Sequence, residues 1–121
     1  MARYRPWLYG AAVYNLCWGF GAVLLADSSG WKVVGMMVAV YAPAYWWAAR
    51  FPERHAHLVV VGLLGKTLGL LGYAAGVATG AAPAALGFVV LANDLVWWPA
   101  FVGFVRSAAR AAGGWRALLV G

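Results

Sequence analysis

The chain has 121 residues, 65% of them hydrophobic and only 10% charged, a balance that excludes an ordinary soluble domain. The formal net charge of +6 sits on Arg and Lys at the ends of apolar stretches, not along a soluble face, so membrane topology explains it and nucleic acid is not an expected partner. An all-α integral membrane protein of the cell membrane, multi-pass and surrounded by lipid, is the class that remains.

The first apolar stretch covers roughly 7–26, near the ~20 residues that cross ~30 Å of hydrocarbon. Its basic start and the Ala26-Asp27-Ser28 that follows resemble a signal peptide, but the apolar region exceeds the ~7–15 residues usual for one, so a retained helix is expected. It carries Tyr14, Asn15 and Trp18 within one turn, and Cys17, a lone cysteine read as a small apolar packer. A second span at roughly 31–51 holds Tyr41 and Tyr45 one turn apart, and Pro43, which leaves the Ala39 carbonyl without a donor. The connection Phe51–His57 is short and contains His55 and His57. An His-x-His pair beside Arg54 and Glu53 lacks the three or four ligands of a zinc site, and no second histidine in another span supports haem, so neither metal nor cofactor is expected.

The third span, roughly 58–79, carries Gly62, Gly65, Gly69, Gly72 and Gly76 at alternating spacings of three and four. Such a small-residue stripe is expected to pack closely on another helix, of this chain or of a second copy. Lys66 lies beside it. The fourth span, roughly 84–106, contains Asn93-Asp94-Leu95-Val96-Trp97-Trp98-Pro99, and Pro99 bares the Leu95 carbonyl with an expected kink. The tail 107–121 is too short to span and reads as interfacial, held by Trp115 and Arg116.

These four spans form one domain over 1–121, a four-transmembrane-helix bundle with short connections and antiparallel neighbours. Arg3 and Arg5 precede the first span, Arg50 and Arg54 separate the second from the third, and Arg106, Arg110 and Arg116 follow the fourth, so the positive-inside rule puts both termini in the cytoplasm. A 51-residue offset superposes Trp46-Trp47 on Trp97-Trp98 and Asn15 on Lys66, which suggests a tandem repeat of a helical hairpin.

Charged groups at bilayer depth are expensive and are usually paired and functional. Counting at ~1.5 Å per residue places Asn15, Lys66 and Asp94 at roughly 12, 12 and 18 Å from the same side. They can therefore meet: Lys66 pairs with Asp94, and Asn15 and Asn93 supply amide hydrogen bonds. Trp97, Trp98 and Phe101 follow Asp94 at three, four and seven positions and share its face, and Trp18 flanks Asn15, so the expected ligand-binding set is Asn15, Trp18, Lys66, Asn93, Asp94, Trp97, Trp98 and Phe101. The bland alternative is a polar cluster that only fastens the bundle.

Tyr14-Asn15-x-x-Trp18-Gly19, the Gly65-Lys66 pair with Gly69, and Asn93-Asp94-x-x-Trp97-Trp98-Pro99-x-Phe101 resemble a group of small bacterial four-helix membrane proteins. The resemblance covers most of the chain and implies the four-helix fold. Asn15-x-x-Trp18 and Asp94 are also similar, more weakly, to membrane-embedded terpene cyclases, with Gly19 where those carry an acid; this implies acid catalysis by Asp94 on a lipophilic substrate. Small multidrug exporters match in size and Trp content but hold their acid in the first helix, where this chain has Asn15. The expected function is binding or transport of a lipophilic or amphiphilic small molecule at the intramembrane polar site, with Lys66 favouring an anionic or neutral amphiphile. The alternatives are an enzyme using Asp94 and an accessory or scaffold subunit, as a homo-oligomer or within a larger membrane complex.

Overall fold

The computed structural model describes Met1–Gly121 and is all helical, with 88% of residues in helix and no strands. A single 3₁₀ turn at Ala2–Tyr4 leads into α1 (Arg5–Leu25), followed by α2 (Ser29–Arg50) and α3 (Pro52–Ala78). The fourth rod, Ala84–Ala112, is composite. It comprises a 3₁₀ turn at Ala84–Leu86, α4 (Gly87–Val90), a π-helical turn at Leu91–Leu95 and α5 (Trp98–Ala112); α6 (Trp115–Val120) ends the chain. Three rods, Ala2–Leu25, Pro52–Ala78 and Ala84–Ala112, are long and apolar enough to cross a membrane. The 22 residues of α2 give it comparable length, but Trp, Tyr and Pro lower its hydropathy.

Local chemistry sets the boundaries. Ser28 caps α2 by accepting the Trp31 N–H at 3.3 Å. Proline at position 52 disfavours helix for the residue before it, so Phe51 turns out to φ −130, ψ 68, while Pro52 itself suits the first turn of α3. The corner between α2 and α3 is thus one residue. At the far end Gly113 takes φ +88, and Gly114 N–H reaches the Ala109 carbonyl at 2.8 Å, the glycine stop that lets α6 fold away from α5.

The starts of α1 and α3 lie beside the ends of α2 and α5. Leu8 and Ala11 of α1, Tyr45, Ala48 and Ala49 of α2, Ala56 and Val59 of α3, and Phe101, Phe104, Val105 and Ala108 of α5 form one buried cluster there. Arg5 locks this end by donating Nε to the Ala49 carbonyl at 2.5 Å and Nη2 to Arg50 at 3.5 Å, which fills orphan acceptors at the α2 terminus. The arginines of both termini and of the Phe51 corner therefore gather at one end of the bundle, and Asp27 and Lys32 lie at the other.

The closest backbone approach is between α1 and α2. A Cβ on Gly19 would stand 2.6 Å from the Gly35 carbonyl oxygen, and one on Gly35 would stand 2.6 Å from the Gly19 carbonyl oxygen. This differs from the seam expected along Gly62, Gly65, Gly69, Gly72 and Gly76. In α3 these residues form two rows: Gly65 and Gly72 face outward, whereas Gly62, Gly69 and Gly76 are sockets for Tyr45, Asp94 and Ala82. A 3–4 alternation drifts across the helix surface, and here it yields side-chain sockets instead of a backbone contact. The Trp pairs related by the 51-residue offset also differ, since Trp46 and Trp47 are exposed and Trp97 and Trp98 are half-buried.

Gly35→Val is expected to overpack the α1–α2 contact and destabilise the bundle by about 1–3 kcal/mol or more. Gly72→Ala, where nothing lies within 4 Å, is expected to be neutral or slightly stabilising. Thermal unfolding of the two variants in the same detergent checks the contrast.

Candidate functional site

The site grows out of the interruption in the fourth rod. Val96 N–H reaches back five residues to the Leu91 carbonyl at 3.1 Å, which is the widened geometry of a π turn. Pro99 has no N–H for Leu95, and it opens α5 as one of its first residues. The expected break is present, but it lies upstream of the proline as a π turn. α2, in contrast, runs unbroken through Pro43.

Carbonyls released by the break find side-chain donors. Trp97 Nε1 donates to the Ala92 carbonyl at 2.9 Å, and Lys66 Nζ donates to the Asn93 carbonyl at 2.5 Å. The Lys66 ammonium also lies 3.7 Å from Asp94 Oδ1, an ion pair without a direct hydrogen bond. Lys66 is 4% exposed and Asp94 9%, so the lysine stays inside the bundle and does not climb to the surface. The rings of Phe101 and Tyr45, with centroids 5.4 and 5.9 Å from Nζ, add aromatic faces to its surroundings. Gly69 makes room for the acid, because a Cβ there would stand 2.7 Å from Asp94 Oδ2.

Beside this pair is a cleft of about 280 Å³. Asn15, Lys66, Asn93 and Asp94 supply its polar surface, Tyr41 and Tyr45 an aromatic wall, and Val34, Met37 and Val38 an apolar one. Val34, Met37 and Gly65 are exposed, so the cleft opens sideways between α2 and α3. Asn15 Nδ2 donates to the Val38 carbonyl at 3.2 Å, which orients its amide and leaves Oδ1 buried without a partner. Asn93 Oδ1 is likewise buried and unpaired.

The structure thus brings Asn15, Lys66, Asn93 and Asp94 together, with Phe101 packed under Lys66. Trp18, Trp97 and Trp98 do not line the cleft. Trp18 meets Trp31 edge-on at 6.5 Å, Trp97 sits against Trp7 and Tyr14, and Trp98 donates to Thr67 Oγ1 at 3.0 Å. The reason is the break: spacings of three and four share a face only in a continuous α-helix, and the π turn with the following 96–97 corner rotates the tryptophans away. Although Tyr41 and Tyr45 stand one turn apart in the sequence, the expected ligand-binding set leaves out the α2 wall. Its signal is the spacing 34, 38, 41, 45, one helical face carrying Val, Val, Tyr and Tyr. His55 packs near Trp47 and Phe51 at the corner, remote in sequence position from the cleft-lining residues.

No protein family, curated protein or solved structure matches this chain. The chemistry of the site therefore rests on its own geometry.

Lys66→Met alone strands the Asp94 carboxylate and the Asn93 carbonyl, and is expected to destabilise the protein by about 3–5 kcal/mol. Lys66→Met combined with Asp94→Leu removes both charges and is expected to recover most of that loss. Unfolding free energies of the two single variants and the double variant check the coupling.

Proposed function

We propose that this chain is a four-span protein of the cell membrane that binds or transports a lipophilic or amphiphilic small molecule in the cleft between α2, α3 and the π turn. Both termini lie on the cytoplasmic side in this reading, since the positive-inside rule assigns the arginine-rich end of the bundle to the cytoplasm. α2 is the fourth span: its 22 residues extend about 33 Å at 1.5 Å per residue, and its long contact with α1 carries it across beside that helix.

The observation that carries the function is the combination of a buried ion pair and two unpaired amide oxygens on residues that line a cleft. A cluster serving only as a fastener gains from closing its polar atoms on one another, because buried unpaired acceptors are costly. Here the fold instead keeps a cleft of about 280 Å³ against them, close to the lower end of small-molecule pockets. Its mouth is apolar and faces sideways, the direction from which a molecule dissolved in lipid arrives.

Two measurements test this proposal. Gentle solubilisation followed by native mass spectrometry and organic extraction is expected to recover a small molecule with the wild type and to lose it with Asp94→Asn. A defined complex with no cargo in either form points instead to an accessory subunit. For topology, in a Cys17→Ser background, cysteines at Ala2 and Gly121 are expected to react with membrane-impermeant maleimide only after the cytoplasmic side is opened, and cysteines at Ser29 and Ala81 in intact cells. Labelling of Ser29→Cys and Gly121→Cys from the same side would remove one span.

A further inference from the structure

The unpaired atoms also define the head of the ligand, an inference that rests on the reading of the cleft as a ligand site. Lys66 is already committed, with its ammonium held by the Asn93 carbonyl at 2.5 Å and by Asp94 at 3.7 Å. An anionic head would meet the Asp94 carboxylate and two bare amide oxygens. A cationic head would meet the Lys66 ammonium. The fully buried side-chain atoms that lack a partner are of one kind: Asn15 Oδ1 and Asn93 Oδ1 both accept, and neither has a donor. Asn15 is 3% exposed and lines the cleft, and its orientation is set by the bond from Nδ2 to Val38, so Oδ1 cannot be exchanged for a donor by an amide flip without losing that bond.

Size and shape add the tail. A volume of about 280 Å³ holds a head and a few carbons, and the apolar residues Val34 and Met37 stand exposed at the mouth. We propose that the cleft takes the head of a neutral single-chain amphiphile, a long-chain alcohol or primary amide. A primary amide has one N–H for each of Asn15 Oδ1 and Asn93 Oδ1, an alcohol donates its single O–H to Asn15 Oδ1, and the chain leaves between α2 and α3 past Val34 and Met37 into the acyl layer. Of the anionic and neutral amphiphiles that Lys66 suggests in the sequence, this selects the neutral, because the lysine is neutralised within the protein.

The test compares two probes that differ only in the donor. A diazirine-bearing long-chain alcohol and its methyl ether are cross-linked to the protein in lipid nanodiscs, and labelled peptides are located by mass spectrometry. The alcohol is expected to label α2 and α3 residues around the cleft with half-saturation about tenfold or more below that of the ether, the size expected when a buried acceptor loses its donor. Asn15→Leu is expected to bring the alcohol to the level of the ether. Equal labelling of the cleft by both probes overturns the donor requirement and leaves the ligand-site reading standing. Absence of cleft labelling by both overturns the ligand-site reading itself. The wild-type comparison decides even where Asn15→Leu does not fold.

Discussion

Hydrocarbon offers no hydrogen bonds, so an interrupted helix inside a membrane must satisfy its released carbonyls from within the protein. The fourth rod, long and apolar enough to cross a membrane, meets that requirement at Leu91–Leu95. The π turn and Pro99 withdraw backbone donors from several carbonyls in succession, and the chain replaces them with the Trp97 indole and the Lys66 ammonium. Lys66 is best understood as a donor to the backbone first and as a partner of Asp94 second, since its hydrogen bond to Asn93 is 2.5 Å and its approach to Asp94 is 3.7 Å. The acid supplies the countercharge that makes a buried ammonium tolerable.

The rest of the bundle is arranged around this demand. Apolar packing is concentrated at the arginine-rich end, where Leu8, Tyr45, Val59, Phe101, Phe104 and Val105 are fully or almost fully buried. Tyr45 joins that core to the site: its ring packs edge-on against Phe101 at 4.8 Å and fills the socket at Gly62. Beyond Tyr45 the helices are held by α1 and α2 crossing at Gly19 and Gly35, while the space between α2 and α3 stays open. A closely packed floor lies beneath an open cleft, and the volume beside Asn15, Lys66 and Asp94 stays unfilled.

The hydropathy pattern made the helices legible, and depth counting made the polar cluster legible, because both depend only on the rise per residue. Asn15, Lys66 and Asp94 meet although they are far apart in sequence. What counting along the chain cannot foresee is rotation. The expected faces of Trp97 and Trp98 assumed 3.6 residues per turn through Asp94, and the π turn broke that assumption. The glycines of α3 misled for a related reason: spacing reveals that a surface is smooth, but a smooth surface can receive a backbone or a side chain, and Gly62 and Gly69 receive Tyr45 and Asp94. Gly19 and Gly35, the residues at the tightest approach, belong to no long stripe and gave little signal. Small residues four apart, Gly35 and Ala39, were the available hint.

Charge bookkeeping within the cluster then limits what the cleft can accept. With one ammonium and one carboxylate in contact, the polar base is close to neutral as a whole, and adding a further ion means desolvating it without a free partner. Hydrogen-bonding capacity is not balanced in the same way. One donor of the lysine goes to the Asn93 carbonyl and one of the Asn15 amide to the Val38 carbonyl, and the fully buried side-chain atoms left without a partner are both oxygens. The break contributes to this, because the lysine donor spent on the Asn93 carbonyl is not available to the side-chain acceptors nearby. A helix interruption that consumes a donor thus leaves buried acceptors beside a neutral pair of charges, and in the proposed reading a neutral molecule bearing O–H or N–H pairs with them without adding charge.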